Sequence, residues 1–282
     1  PSGYEEVAAG IAHLNLSVFM DGQELKELLA SENGRAQAVQ QIVQELSRVY
    51  DKTGGNPYEG VTIDFEGLRA SQKEAFSDFL RQLQAALQKL DKQLFVCVPP
   101  VLTSSAYYDG YDCQVIGELA DKVILMAYGY GPQNMNGFTG TEYYKTAATA
   151  PIASVYTALR QAASEIPPAK LLLGFSVINT AWKIDENGKL LSETPVYPST
   201  ETVIKRLSQS DTERGWSQTY QQSYAIYRTE DGGRYFLWYQ DDASVQQALS
   251  AARLLGVNGV SIWRLGTIPT ANTAWTWNGL LA

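Results

Sequence analysis

Histidine and cysteine are scarce in this chain of 282 residues, and each scarcity closes a chemical route. The one histidine, His13, cannot supply a His-rich metal site. In the apolar-flanked run Ile11 to Phe19 it reads as a buried strand residue rather than a catalyst. Two cysteines, Cys97 and Cys113, are too few for a disulfide framework and leave the redox compartment open. Cys97 lies in the strand-like run Leu94 to Val98 and reads as a buried thiol. Positive charge is also short, with 22 Lys and Arg against 30 Asp and Glu, a formal net charge of -8. That balance argues against nucleic acid as a partner, since phosphate binding shows as clustered basic residues. No apolar run approaches the ~18 residues of a spanning helix, so membrane insertion is not expected. No charged-then-apolar leader precedes Pro1, an absence that leaves the location of the protein open.

What is present is an ordinary globular composition, 45% apolar and 18% charged. The length suffices for a single α/β barrel without a linker. Aromatics make up 11%, with 17 Tyr and 6 Trp. Their flat apolar faces and polar edges suit sugar rings, although such residues also fill cores. Short β-branched or apolar runs alternate with longer stretches at helical spacing, the pattern of a parallel sheet covered by helices. Six strands are expected: Ala12 to Phe19, Gly60 to Glu66, Leu94 to Val98, Lys122 to Tyr128, Lys170 to Val177 and Gly259 to Trp263. Helices are expected from about Ala36 to Tyr50, from Ser71 to Leu90 and from Asp242 to Leu255. Ser71 with Glu74 forms a candidate capping box for the second of these. The segment from about Lys183 to Tyr239 breaks the rhythm. Turn signals at Glu186-Asn187-Gly188 and Asp231-Gly232-Gly233, a helix near Thr200 to Ser208 and a hairpin of Tyr220 to Arg228 with Tyr235 to Tyr239 make it a small α+β insertion. Periodicity alone leaves an eight-stranded barrel and an open doubly wound sheet both standing.

The chemistry concentrates in one strand. Side chains alternate along it, so Thr62, Asp64 and Glu66 share one face while Val61, Ile63 and Phe65 share the other. Acids on an inward face are costly unless paired or protonated. Two neighbouring acids also resist simultaneous ionisation, which would keep a proton on Glu66 for use as a general acid. Alternate residues lie about 6.5 to 7 Å apart along a strand. Asp64 is then beneath Glu66 rather than across a bound sugar from it, a poor position for a nucleophile. An acidic strand end paired with Lys or Arg is the plain structural reading of the same residues.

The segment Glu59-Gly60-Val61-Thr62-Ile63-Asp64-Phe65-Glu66 resembles the signature Asp-Gly-x-Asp-x-Asp-x-Glu of family 18 glycoside hydrolases, chitinase-like enzymes. It is most similar to the branch of bacterial cell-wall and spore-cortex N-acetylglucosaminidases. Met126-Ala127-Tyr128 resembles the family's Met-x-Tyr, Gly259 to Gly266 its last strand, and Phe236 to Asp241 the end of its insertion. The resemblance implies a (β/α)8 TIM barrel of which this chain starts at the third strand, lacking the first two. It also implies one catalytic domain over residues 1–282, with the insertion at about 183–240. Glu66 becomes the catalytic acid/base and Asp64 the residue that turns to hold the substrate acetamido group. Tyr128 would hydrogen-bond the acetamido carbonyl, Trp263 would floor the sugar subsite, and Met126, Tyr239, Asn15 and Trp182 would be further substrate contacts. The implied reaction is retaining hydrolysis of β-1,4 bonds in an N-acetylglucosamine-containing polysaccharide, peptidoglycan or chitin, assisted by the substrate's own acetamido oxygen. No cofactor and no metal are implied, and the implied location is extracellular or cell-wall and spore associated. Glu59 and Thr62 depart from the first two Asp of the signature, and Gly129 stands where the family has Asp or Asn. A carbohydrate-binding protein that has lost turnover is the alternative from another class. An aldolase or isomerase would want a strand-end Lys or a phosphate-binding glycine loop, and neither is placed convincingly.

Overall fold

The computed structural model describes residues 13–50, 54–100 and 109–264. Ala12 of the first expected strand and Leu265-Gly266 lie outside the described residues. In chain order the elements are β1 (Asn15–Met20), α1 (Gly22–Ala30), α2 (Glu32–Leu46), β2 (Gly60–Phe65), α3 (Lys73–Gln88), β3 (Gln93–Val98), α4 (Cys113–Leu119), β4 (Lys122–Leu125), α5 (Ile152–Glu165), β5 (Leu171–Ser176), β6 (Thr180–Ile184), α6 (Thr200–Leu207), β7 (Glu213–Ser217), β8 (Gln222–Arg228), β9 (Arg234–Tyr239), α7 (Asp242–Leu254) and β10 (Gly259–Trp263). The chain forms two compact units, residues 1–126 with 161–172, and residues 127–160 with 173–282. One sheet runs β1-β2-β3-β4-β5-β10, four of its strands lying in the first unit, with β5 passing from the first to the second. All six expected strands are therefore present.

In the first unit β1 to β4 pair parallel and in chain order. The outward face of β2 is fully buried, Val61 and Ile63 at 0% exposure and Phe65 at 1%. Its partner is α3, whose Phe76, Phe79, Leu80, Leu83 and Leu87 fall on one stripe as their 3- and 4-residue spacing requires. The Phe65 ring stacks on Phe79 with centroids 5.2 Å apart and tilts against Phe76 at 5.8 Å. This aromatic packing decides which side of β2 turns away from α3, and Thr62, Asp64 and Glu66 are on it. The cap of α3 differs from expectation. A short 3-10 turn, Ala70–Gln72, precedes the helix, and Gln72 accepts from the Arg69 amide at 3.0 Å. Asp109 accepts from the Ala70 amide at 2.9 Å, while Glu74 pairs with Arg81. Ser71 and Glu74 therefore make no capping box. His13 is likewise not buried: it precedes β1, is exposed, and pairs with Glu59, because β1 is the edge of the sheet.

In the second unit the insertion is a four-stranded sheet in the order β6-β9-β8-β7. The expected hairpin is there as β8 and β9, in a register that sets Arg228 opposite Arg234. Gly232 at φ +83° supplies the left-handed turn residue that a side chain would strain. The sheet carries two strands that the sequence did not announce, β6 and β7. Trp182 on β6 faces Phe236 on β9 and is 0% exposed among Met135, Tyr144, Leu190, Phe236 and Trp238. It has no free face to offer a sugar, so the substrate contact expected of it is replaced by a packing role. Trp182→Ala should accordingly destabilise the protein by ~3–5 kcal/mol, the usual cost of deleting a buried aromatic. A fall of the denaturant midpoint at unchanged slope is the expected signature, and an unchanged midpoint would refute the assignment.

Candidate active site

Glu66 follows the last residue of β2, and its backbone is held from two sides. Its amide donates to the Met20 carbonyl of β1 at 2.9 Å, and the Tyr111 hydroxyl donates to the Phe65 carbonyl at 2.7 Å. Gly67, at φ +73°, turns the chain away immediately afterwards. The approach of residue 110 is tight. A Cβ at Gly110 would come within 2.4 Å of the Leu68 backbone, so only glycine lets this segment lie against the strand end. Glu66 is exposed at this end and Asp64, one step deeper on the same face, is half-buried.

Both carboxyls are pushed above the ordinary carboxylate range. For Asp64 the cause is burial, opposed by a hydrogen bond from the Cys97 thiol. For Glu66 the causes are burial, then the Asp64 charge, then the Asp21 charge. A raised pKa keeps a proton on Glu66 at pH values where a free carboxyl has lost it, which is what a proton donor needs. Asp21→Asn removes one negative neighbour. The expected result is a lower titration midpoint for the Glu66 carboxyl carbon by NMR, and an unmoved midpoint would remove Asp21 from this site.

The second unit contains a cavity of about 440 Å³. Tyr128, Gly129, Thr149, Ser176, Gln240 and Trp263 are among its lining residues. Trp263 is 45% exposed, with the Arg264 guanidinium 5.3 Å from its ring centroid. Gln240 is buried and donates to the Ser176 carbonyl at 3.1 Å, and buried Gln222 bonds Thr149 Oγ1 at 2.6 Å and the Ala150 amide at 3.0 Å. These glutamines fix two walls of the cavity. At Gly129, φ +73°, an added Cβ would meet nothing within 4 Å, so the departure from Asp or Asn opens space there.

The expected residues thus fall into groups. Asp64 and Glu66 are together in the first unit, and Tyr128 and Trp263 line one cavity of the second. Met126 is half-buried just past β4, its amide on the Val98 carbonyl at 2.9 Å. Asn15 is misplaced for the proposed contact. It opens β1 opposite Gly60, six residues and about 20 Å of strand from Glu66. Tyr239 is 5% exposed in a cluster with Val203, Tyr227 and Leu237, and it is the next residue, Gln240, that reaches the cavity. Sequence reasoning missed Asp21, Tyr111, Gln222 and Gln240. Asp21, two residues past an expected strand, and Gln240, within the segment Phe236 to Asp241, carried a signal that could have found them. Among the described residues no group of three or more His, Cys, Asp or Glu could hold a metal ion, and no helix is long and apolar enough to cross a membrane.

The profile of the family described as "Glycosyl hydrolases family 18" matches residues 16–267. The "Cortical fragment-lytic enzyme" of Bacillus subtilis (strain 168) is 24% identical over 224 residues, which is 78% of this chain and 49% of that protein. The chain thus spans about half the length of the curated relatives it matches. Among solved structures, the spore cortex-lytic enzyme SleL of Bacillus megaterium QM B1551 superposes with a TM-score of 0.79 at 21% identity, covering 99% of this chain and 62% of that one. A family 18 N-acetylglucosaminidase from Paenibacillus barengoltzii superposes with a TM-score of 0.70 at 20% identity, covering 98% and 84%. These likenesses show the fold.

Proposed function

Because the chain belongs to glycosyl hydrolase family 18, we propose that it hydrolyses β-1,4 bonds of an N-acetylglucosamine-containing polysaccharide, with peptidoglycan preferred over chitin. The observation that carries the reading is the carboxyl pair of β2, an exposed Glu66 above a half-buried Asp64, both with raised pKa. Glu66 protonates the glycosidic oxygen as the bond to the leaving sugar breaks. The substrate's 2-acetamido oxygen takes the place of an enzyme nucleophile and closes an oxazolinium ring, with retention at the anomeric carbon. Asp64 holds the acetamido nitrogen. Glu66, now ionised, then removes a proton from the water that opens the ring. Trp263 offers its exposed face to a sugar, as amphipathic aromatics do at such sites. Relatives named for spore-cortex lysis support peptidoglycan as the polymer and a cell-wall or spore setting.

The test is release of reducing ends from purified peptidoglycan and from chito-oligosaccharides. Turnover of either supports glycoside hydrolysis, and the faster one names the polymer. Binding without release would overturn the proposal in favour of a carbohydrate-binding role, a reading that Thr62 in place of an acid and Gly129 in the cavity wall also fit.

A further inference from the structure

Asp64 is in an expensive position. Its Oδ1 is buried with no hydrogen-bond partner, and burial is what raises its pKa. Thr62, one step deeper on the same face of β2, carries a hydroxyl where a second acid would share a proton. The neighbouring strand supplies a different group. The β2-β3 register sets Thr62 beside Phe95 and Ile63 beside Val96, so the next step sets Asp64 beside Cys97. Both side chains then project from the same side of the sheet. Cys97 is 7% exposed and is a free thiol.

We propose that Cys97 is a positioning residue for the hydrolytic reaction, its thiol donating a hydrogen bond that holds the Asp64 carboxylate inward beneath Glu66. The inference rests on the reaction assigned under Proposed function. The groups bearing on the pair are Glu66 on β2 and, through Glu66, Asp21 after β1. Burial and the two carboxylates of Asp64 and Glu66 push the Cys97 thiol well up. It therefore stays protonated and remains a donor wherever Asp64 is ionised. A second carboxylic acid at this place would add a negative charge on losing its proton, and the thiol adds none. An S–H group is also a weak donor. It keeps Asp64 oriented beneath Glu66 while Glu66 transfers its proton.

The experiment compares the full chain with Cys97→Ala and Cys97→Ser, by turnover of the N-acetylglucosamine polymer and by NMR titration of the Asp64 carboxyl carbon. Losing a hydrogen bond to a charged group is expected to cost Cys97→Ala about 10-fold in kcat with KM within about twofold. Its Asp64 midpoint should move to higher pH, because the donor that favoured the ionised form is gone, and the acid limb of kcat/KM should follow. Cys97→Ser keeps a donor and should restore kcat and midpoint to near the parent values. A Cys97→Ala protein with parental kcat and an unmoved midpoint overturns the proposal. So does a Cys97→Ser protein whose midpoint rises, a readout that serves even where the alanine variant does not fold. A parent protein without turnover would sink the functional reading instead, while the NMR midpoints would still decide whether Cys97 holds Asp64.

Discussion

Glu66→Gln is expected to lower turnover of an N-acetylglucosamine polymer by ~10²–10⁴-fold, the usual worth of a general acid, with KM little changed. The amide matches the acid in shape and keeps the contacts of the strand end, so the loss isolates the proton. Folding should not suffer. The backbone at position 66 is anchored through its amide on Met20 and through Tyr111 on Phe65, and neither bond uses the side chain. The replaced carboxylate is moreover disfavoured where it stands, by burial and by Asp64 and Asp21. The measurement is release of reducing ends beside a thermal midpoint. Equal rates in the two proteins would end the assignment of Glu66 as acid.

Substrates with a 2-hydroxyl in place of the 2-acetamido group should be turned over at least ~10³-fold more slowly, since a well-placed internal nucleophile has an effective molarity of ~10⁵ M or more. Retention by an enzyme nucleophile requires two carboxyls on opposite sides of the scissile bond, about 5 to 5.5 Å apart. Asp64 and Glu66 instead lie on the same face of one strand, one repeat apart along it, and the deeper of them is partly walled in. Asp64 cannot reach the far side of a sugar that Glu66 protonates. Matched chito- and cello-oligosaccharides make the comparison. Similar rates on both would show that another group supplies the nucleophile and would remove the acetamido role from Asp64.

Hydrophobic patterning made the parallel strands legible because each is a short β-branched or apolar run bounded by turns, and β10 runs from Gly259 to Trp263 as read. The helices were less legible. The short α4 and the small-residue-rich α5 offered no stripe as plain as that of α3, so they passed unread. In the insertion β6 and β7 were hidden for a different reason. Trp182 read as a substrate contact, and only antiparallel partners made strands of β6 and β7. Asn15 lies at the far end of β1 from Glu66 and Tyr239 packs in the core of the insertion, placements that a strand pattern alone does not specify. Gln240, one residue on, reached the cavity that Tyr239 did not.

Glu66 and Asp64 were determined by the sequence itself. A period of two puts both acids on one face, and nothing in the later folding can move them apart without breaking the strand. What only the tertiary structure decided is the environment that makes them useful. Phe65 against Phe76 and Phe79 chose the face, Tyr111 and Met20 fixed the strand end, and the β2-β3 register brought Cys97 beside Asp64. These contacts join residues far apart in the chain. Their formation depends on packing and register between elements, which local periodicity does not encode.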